Sequence, residues 1–479
     1  MAKTGIWSNP SDRILPGIYN RFVGVANTYG EGLVGTIGIP VRANWGEVGK
    51  VVTIRNNIVE LKEAFGDDVG ENYSAFKLAS LLLKTNVKYI KLYRLADSSA
   101  AKATVSLKNS NESATNIIEL SSKYPTSKDL NVTIKNNVTD KSAVEMYIYE
   151  GTKLLVKIYN IRGKVDEMVN AINTAYENKY VVAKKLAEST DRLAECVNTK
   201  LTGGNDGCSS ITNQQYIDAL DAFEREKIDG FALDGKEDEA LDTAVFEWIK
   251  KNYESGRVIQ YFAGTKKSED ITQACARARK VNNKLYTLVA SSGVLDGVEY
   301  SACETAAYIC AEEICNKLKE CSTNKETVFD TVKKVFTNTE LEEAERAGVL
   351  VLDIDDDKVV IVDDVNTYKQ YPADTSDNES INGFNRTVRT IKAINEMLIT
   401  AGKGVVGKVD SDPEIGYDII ISAFKKGFEH LVSEGALRSF TVAVDKERQE
   451  VARTDEFFFV WNAIRNDKVK RIYGTGTLR

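Results

Sequence analysis

Apolar residues along this chain recur at two spacings that alternate repeatedly. Residues 33–40, 51–54 and 87–95 are continuous or alternating apolar runs, which predict strands. Residues 58–65 and 73–83 carry apolar positions three and four apart, the mark of amphipathic helices. From about residue 213 the alternation resumes. It predicts helices over 213–225, 237–255, 272–281 and 301–319, and strands over 230–233, 257–263 and 285–290. Strands interleaved with helices form an α/β layer. The stretch 97–204 differs: it is rich in Lys, Asn, Ser and Thr. Strand runs fall at 105–107, 131–135, 144–149 and 154–159, with one helix over 165–176, as in a small α+β domain set into the first.

Further on, 349–354 and 359–362 flank the polar turn Asp355-Asp356-Asp357-Lys358 and predict a hairpin. Helices follow over 385–400, with Val388, Ile391, Ile394, Met397 and Leu398 on one side, and over 413–434. A strand is expected over 439–444. Phe457, Phe458, Phe459, Val460 and Trp461 are apolar on both faces, which predicts a central strand. Residues 469–473 predict a last strand. At the other end, Leu15-Pro16-Gly17 marks a turn, and the run from Ile18 to Val25 is strand-like, with Pro16 placing it on an edge. An edge strand near a terminus can pair with another chain as readily as with its own.

These elements divide the chain into an N-terminal arm (1–30), a split α/β core (31–96 and 205–368), an inserted α+β domain (97–204), a C-terminal α+β domain (369–466) and a C-terminal arm (467–479). The expected class is therefore multidomain, α/β and α+β, with extended terminal arms. A length of 479 residues agrees with several cores.

Composition narrows the function. The net charge of −7 lacks the basic excess of a nucleic-acid binder. No apolar run is long enough for a transmembrane helix, and residues 1–10 have no apolar signal core, so synthesis and folding in a cytoplasm are expected. The seven cysteines include no CxxC pair; Cys303, Cys310 and Cys321 recur at helical intervals and are expected to be small buried hydrophobes. His430 is the only histidine, which removes most Ser–His, Cys–His and zinc-hydrolase chemistry. The Gly-rich stretch 201–207 lacks the order of a phosphate loop and reads as a linker. An EF-hand loop starting at Asp353 would need Gly where Lys358 sits and Glu where Asp364 sits, so the acidic turn reads as solvated. No catalytic, cofactor or metal residues are expected.

Several segments, in order, resemble the contractile phage tail sheath family, in the form found in Gram-positive phages and phage tail-like particles. They are Leu15-Pro16-Gly17-Ile18-Tyr19; Gly35-Thr36-Ile37-Gly38-Ile39-Pro40 leading to Asn44-Trp45-Gly46; and Tyr93-Arg94-Leu95 before the insertion, with Leu201-Thr202-Gly203-Gly204-Asn205-Asp206-Gly207 after it. Next come Val365-Asn366-Thr367-Tyr368, Asn385-Arg386-Thr387-Val388-Arg389-Thr390-Ile391, Gly404-Val405-Val406-Gly407-Lys408-Val409 and Asp467-Lys468-Val469-Lys470-Arg471-Ile472-Tyr473. The resemblance implies a structural subunit, not an enzyme, that needs no cofactor. Six copies would form a ring around a tail tube, rings would stack helically, and contraction would drive the tube through a cell envelope. It implies as partners further copies of the chain, the tail tube protein, and baseplate and tail terminator proteins, with no nucleic acid and no membrane insertion. It places the product, made in the host bacterial cytoplasm, in a virion tail or tail-like particle. The inserted domain would face outward.

Both readings converge on the termini. Leu15, Ile18, Tyr19, Phe22 and Val23, and Lys468, Val469, Lys470, Arg471, Ile472 and Tyr473, are expected to be arm strands that enter neighbouring copies. Phe457, Phe458, Phe459, Val460 and Trp461 are expected in the sheet that accepts them. The alternatives are an α/β enzyme, or a non-contractile binding protein of unknown ligand. The first would show a Gly-rich strand–loop–helix fingerprint or paired acids at strand ends, and the second an aromatic-lined face.

Overall fold

The computed structural model describes residues 3–6, 17–20, 35–55, 57–370, 380–413, 415–470 and 472–475. Of 3–6, 17–20 and 380–381 it describes the backbone path alone. By packing, the chain divides into two units, 34–392 with 468–479, and 1–33 with 393–467.

The larger unit is built on a seven-stranded sheet. Its strands lie in the order Val349–Leu350, Tyr286–Val289, Gln260–Gly264, Gly230–Ala232, Thr36–Arg42, Tyr89–Leu95 and Val51–Arg55. All are parallel except Val51–Arg55, which runs antiparallel to Tyr89–Leu95 at the edge. Strands from before and after the insertion sit side by side, with Ile37 opposite Gly230. One α/β layer is thus assembled from two separated stretches of chain. A parallel sheet must be covered on both faces, so its strands are apolar on both. Successive residues show this: Phe231 and Tyr261 point into the core formed with helices Asn213–Phe223, Glu239–Glu254 and Ile271–Val281. Ala232 and Phe262 point into the opposite core, with helices Ile58–Phe65, Ala75–Leu82 and Ala302–Cys315.

Ala302–Cys315 is buried along nearly its whole length. Ala306, Ala307, Cys310 and Ala311 keep that helix slim, and it presses so closely on the sheet that a Cβ at Gly230 would strike the Cys310 sulfur. The carboxylates it buries are paired: Glu304 with Lys77 at 2.7 Å, Glu312 with Lys325, and Glu313 with Arg389. The helix is shorter than its apolar pattern predicted. It stops at Cys315 because Asn316 is extended, so Cys321 lies beyond it in a loop, with its thiol 3.1 Å from Thr323 Oγ1. All seven cysteines are free thiols. The apolar run after residue 348 also splits. Val349–Leu350 joins the main sheet, and only Leu352–Asp355 and Lys358–Ile361 form the hairpin. Asp356 and Asp357, both at positive φ, make its two-residue turn.

The insertion is more β-rich than expected. A four-stranded sheet (Lys153–Ile161, Val144–Glu150, Leu130–Asn136, Cys196–Lys200) and a three-stranded sheet (Val181–Lys185, Asn116–Ser122, Thr104–Lys108) share one core with helix Val165–Thr174. Its two connections to the main sheet are stapled by Arg94, which is fully buried. The guanidinium donates to the carbonyls of Gly46 (2.6 Å), Pro125 (2.9 Å) and Asp206 (3.0 Å). The Asp206 carboxylate accepts in turn from Tyr73 Oη at 2.9 Å and from Ser127 Oγ at 2.5 Å.

The smaller unit contains the second half of helix Asn385–Val405, from Ala393 on, helix Gly416–Ser433, and an antiparallel pair, Leu437–Val444 with Phe459–Arg465. Gly427 is required where the two helices meet, since a Cβ there would occupy the space of the Met397 side chain.

Arg94→Met removes three charge-assisted bonds while keeping an unbranched side chain. It should cost about 2–4 kcal/mol, read as a lower denaturant midpoint, and speed protease cleavage within 201–207. A midpoint indistinguishable from wild type would mean that the junction is held elsewhere.

Candidate assembly interface

The pair Leu437–Val444 and Phe459–Arg465 is covered on one face. Phe440, Val442, Phe459 and Trp461 point toward helix Gly416–Ser433, where Phe424 stacks on Phe459 at 4.4 Å and Phe428 lies 5.3 Å from Phe440 and 5.4 Å from Trp461. The connection between the strands is held by Gln449, which accepts from the Phe458 N–H at 2.7 Å and donates to Tyr417 Oη at 2.7 Å. The aromatic run was expected to be a central strand. Instead Phe457 and Phe458 precede the strand, Phe459, Val460 and Trp461 begin it, and it pairs on one side with Leu437–Val444. Among the described residues no third strand joins, so both edges of the pair are open. The pattern was apolar on both faces, yet one face is uncovered among the described residues: Val460 and Ile464, which alternate with the helix-facing Phe459 and Trp461, are 54% and 51% exposed. Two strands alone are marginal in water, and open edges of this kind are templates for further pairing.

At the N-terminus, Ile18 and Tyr19 lie on strand Gly17–Asn20, which pairs in parallel with Lys3–Ile6, Ile18 opposite Thr4 and Tyr19 opposite Gly5. This too is a sheet of two strands. Leu15, Phe22 and Val23 lie outside the described residues.

At the C-terminus, the strand expected over 469–473 is not formed among the described residues. Residues 466–470 and 472–475 are irregular, and Arg471 lies outside the described residues. Val469, Ile472 and Tyr473 are 80%, 89% and 89% exposed. Lys470 is anchored by its charge. Its ammonium pairs with Asp363 and sits 3.7 Å from the centre of the Phe384 ring. Burial opposes ionisation of Asp363, but the charge and hydrogen bond of Lys470, with a hydrogen bond from Thr323, outweigh it and hold that carboxyl below its usual range.

The partners of Lys470 were not legible from the chain. Asp363 and Phe384 belong to no motif, and the only hint is a pair of acids, Asp363 and Asp364, closing an apolar strand. Likewise, helix Asn385–Val405 buries Arg389 and Lys392, which an amphipathic reading leaves in solvent; Arg389 pairs with Glu313 and Lys392 with Asp229.

Among the described residues, then, the C-terminal pair presents two unpaired edges and one uncovered face. Two family models match the chain: the phage tail sheath protein beta-sandwich domain over residues 96–206 and the phage tail sheath protein central domain over 209–367, together more than half of it. The chain belongs to the phage tail sheath protein family and is a tail sheath subunit, structural and not enzymatic. It is similar to the sheath tail protein of Desulfitobacterium hafniense, with 21% identity and a TM-score of 0.71 over 94% of this chain and 100% of that one. It is also similar to that of Listeria innocua, with 21% identity and a TM-score of 0.67 over 92% and 97%. A further structural likeness is to the helical sheath of the anti-feeding prophage in its contracted state, with 11% identity and a TM-score of 0.54 over 98% and 100%. At these identities the likeness is one of fold. The uncharacterized protein YqbK of Bacillus subtilis (strain 168) is 26% identical over 265 residues, 52% of each chain, so the chain spans about half the length of this curated relative. Among the described residues no helix is long and apolar enough to cross a membrane.

Beside the Lys470 anchor, Asp364 is fully buried; burial, reinforced by the Glu313 carboxylate and opposed by Arg389 and Lys470, pushes its carboxyl up to about 7. One carboxylate oxygen accepts from the Arg386 N–H at 3.2 Å. A carboxyl raised in the folded state contributes stability that is complete below its ordinary value of 3.8 and is lost as pH rises through about 7. Asp364→Asn keeps the acceptor and removes the charge. Its stability relative to wild type should rise between pH 5 and pH 8, by on the order of 2 kcal/mol. Parallel stability–pH curves for the two proteins would refute this assignment.

Proposed function

We propose that this chain polymerises by exchanging its terminal segments, which enter the open edges of the Leu437–Val444 and Phe459–Arg465 pair in neighbouring copies. The observation that carries the reading is the pair itself: two strands whose edges are both unpaired among the described residues, with Val460 and Ile464 in solvent on the face away from the helix. Strand addition is recognised mainly through main-chain hydrogen bonds, so a short extended segment bearing a few apolar side chains suffices. Lys468, Val469, Lys470, Arg471, Ile472 and Tyr473 make one such segment, and Leu15, Ile18, Tyr19, Phe22 and Val23 the other. An arm passed from each copy to the next is a heterologous contact, which closes into rings or propagates as a helix.

On this reading six copies surround a tail tube and the rings stack. Contraction then repacks contacts between rigid bodies that remain tethered by the exchanged strands, with the extended form metastable and no nucleotide required. The similarity to a contracted helical sheath supports the helical polymer. One structural relative is described in a baseplate of the anti-feeding prophage, which supports a baseplate partner here. A tube protein and a terminator complete the set of partners, and assembly takes place in the host cytoplasm.

Deleting residues 1–22, or residues 467–479, should leave a folded monomer by circular dichroism and size exclusion and abolish striated tubes in negative-stain micrographs. Normal tubes from either truncation would overturn arm exchange.

A further inference from the structure

The C-terminal segment is held to its own chain in a particular way. One cation, Lys470, is seated, while the apolar side chains on either side of it, Val469, Ile472 and Tyr473, remain in solvent. A segment whose final resting place was this surface would bury those side chains, because burying apolar area is what makes such docking strong. Here the dock is electrostatic, and it is well built. The Lys470 ammonium meets the Asp363 carboxylate, which Thr323 Oγ1 also contacts, and lies over the Phe384 ring. A partly desolvated cation over an aromatic face is a favourable contact. Lys369 lies over the same ring at 5.0 Å and pairs with Glu345 at 3.3 Å. Buried Asp364 and Glu313 stand behind Asp363, with Arg389 paired to Glu313.

We infer that in the unassembled subunit the C-terminal segment is latched to its own chain by Lys470 in the notch formed by Asp363, Phe384 and Thr323, and that this latch opens before the segment pairs with a neighbouring copy. The inference rests on the arm-exchange reading. It adds that a free subunit is restrained from exchanging, so that polymerisation waits for a partner edge able to outcompete the Lys470 contact. The exposed Val469, Ile472 and Tyr473 supply the difference, since they gain cover only in a sheet. The latch thus suits a structure that must start at a defined place and not spontaneously in solution.

The test uses the full chain. Hydrogen exchange over residues 466–475 is measured in dilute monomer for wild type, Lys470→Met, Asp363→Asn and the charge-conserving Lys470→Arg. Light scattering then follows the assembly lag of each at higher concentration. Met and Asn should raise exchange of the segment about fivefold and shorten the lag, and Arg should resemble wild type in both. Equal exchange in all four proteins would overturn the latch, and so would a freed segment with an unchanged or longer lag. The exchange measurement needs no assembly, so it judges the latch even if the 467–479 truncation has already disposed of arm exchange.

Discussion

A peptide group at the edge of a sheet must find a hydrogen-bond partner, and in the C-terminal strand pair that requirement is left open. Helix Gly416–Ser433 satisfies one face of the pair with stacked phenylalanines, and nothing described in the chain satisfies the edges. Globular proteins ordinarily shorten, charge or cover such edges. This one presents Val460 and Ile464 on the open face instead. The proposed role follows from that choice: a surface unfavourable for a solitary molecule becomes favourable when each copy completes the next.

The larger unit obeys the opposite rule. Its parallel sheet is enclosed on both faces, its central helix Ala302–Cys315 is buried, and its buried charges are matched in pairs, Glu313 with Arg389 and Lys392 with Asp229. Breaking one partner of such a pair leaves an uncompensated charge in low dielectric, so these contacts resist gradual deformation. On the proposed reading, such a body keeps its shape while contacts between copies rearrange.

The motifs behind the family resemblance acquire physical meanings in the structure. Arg94 and Asp206, from the segments before and after the insertion, meet at the junction that Arg94 staples. Asn385 donates to the Val365 carbonyl at 3.0 Å and accepts from Thr287 at 2.8 Å, tying the start of its helix to the end of the acidic hairpin and to the main sheet. Arg94 satisfies three buried carbonyls at once, which a smaller or uncharged side chain could not.

Local pattern alone determined much of this protein. The helix over 58–65, the alternation of helix and strand after 213, and the return of the chain to its first sheet were all legible, because periodicity reports which faces are buried. Strands Asn116–Ser122, Val181–Lys185 and Cys196–Lys200 were missed: the first two carry short apolar stretches (Ile117, Ile118 and Leu120; Val181 and Ala183) amid polar sequence, and the largely polar third becomes a strand only by pairing with Leu130–Asn136. Tertiary structure alone decided that the aromatic strand is an edge, that Cys321 lies off its helix, and that Lys470 seats against Asp363. Apolar spacing states that a face will be covered, but not by what, and it carries no information about which distant carboxylate a lysine will meet.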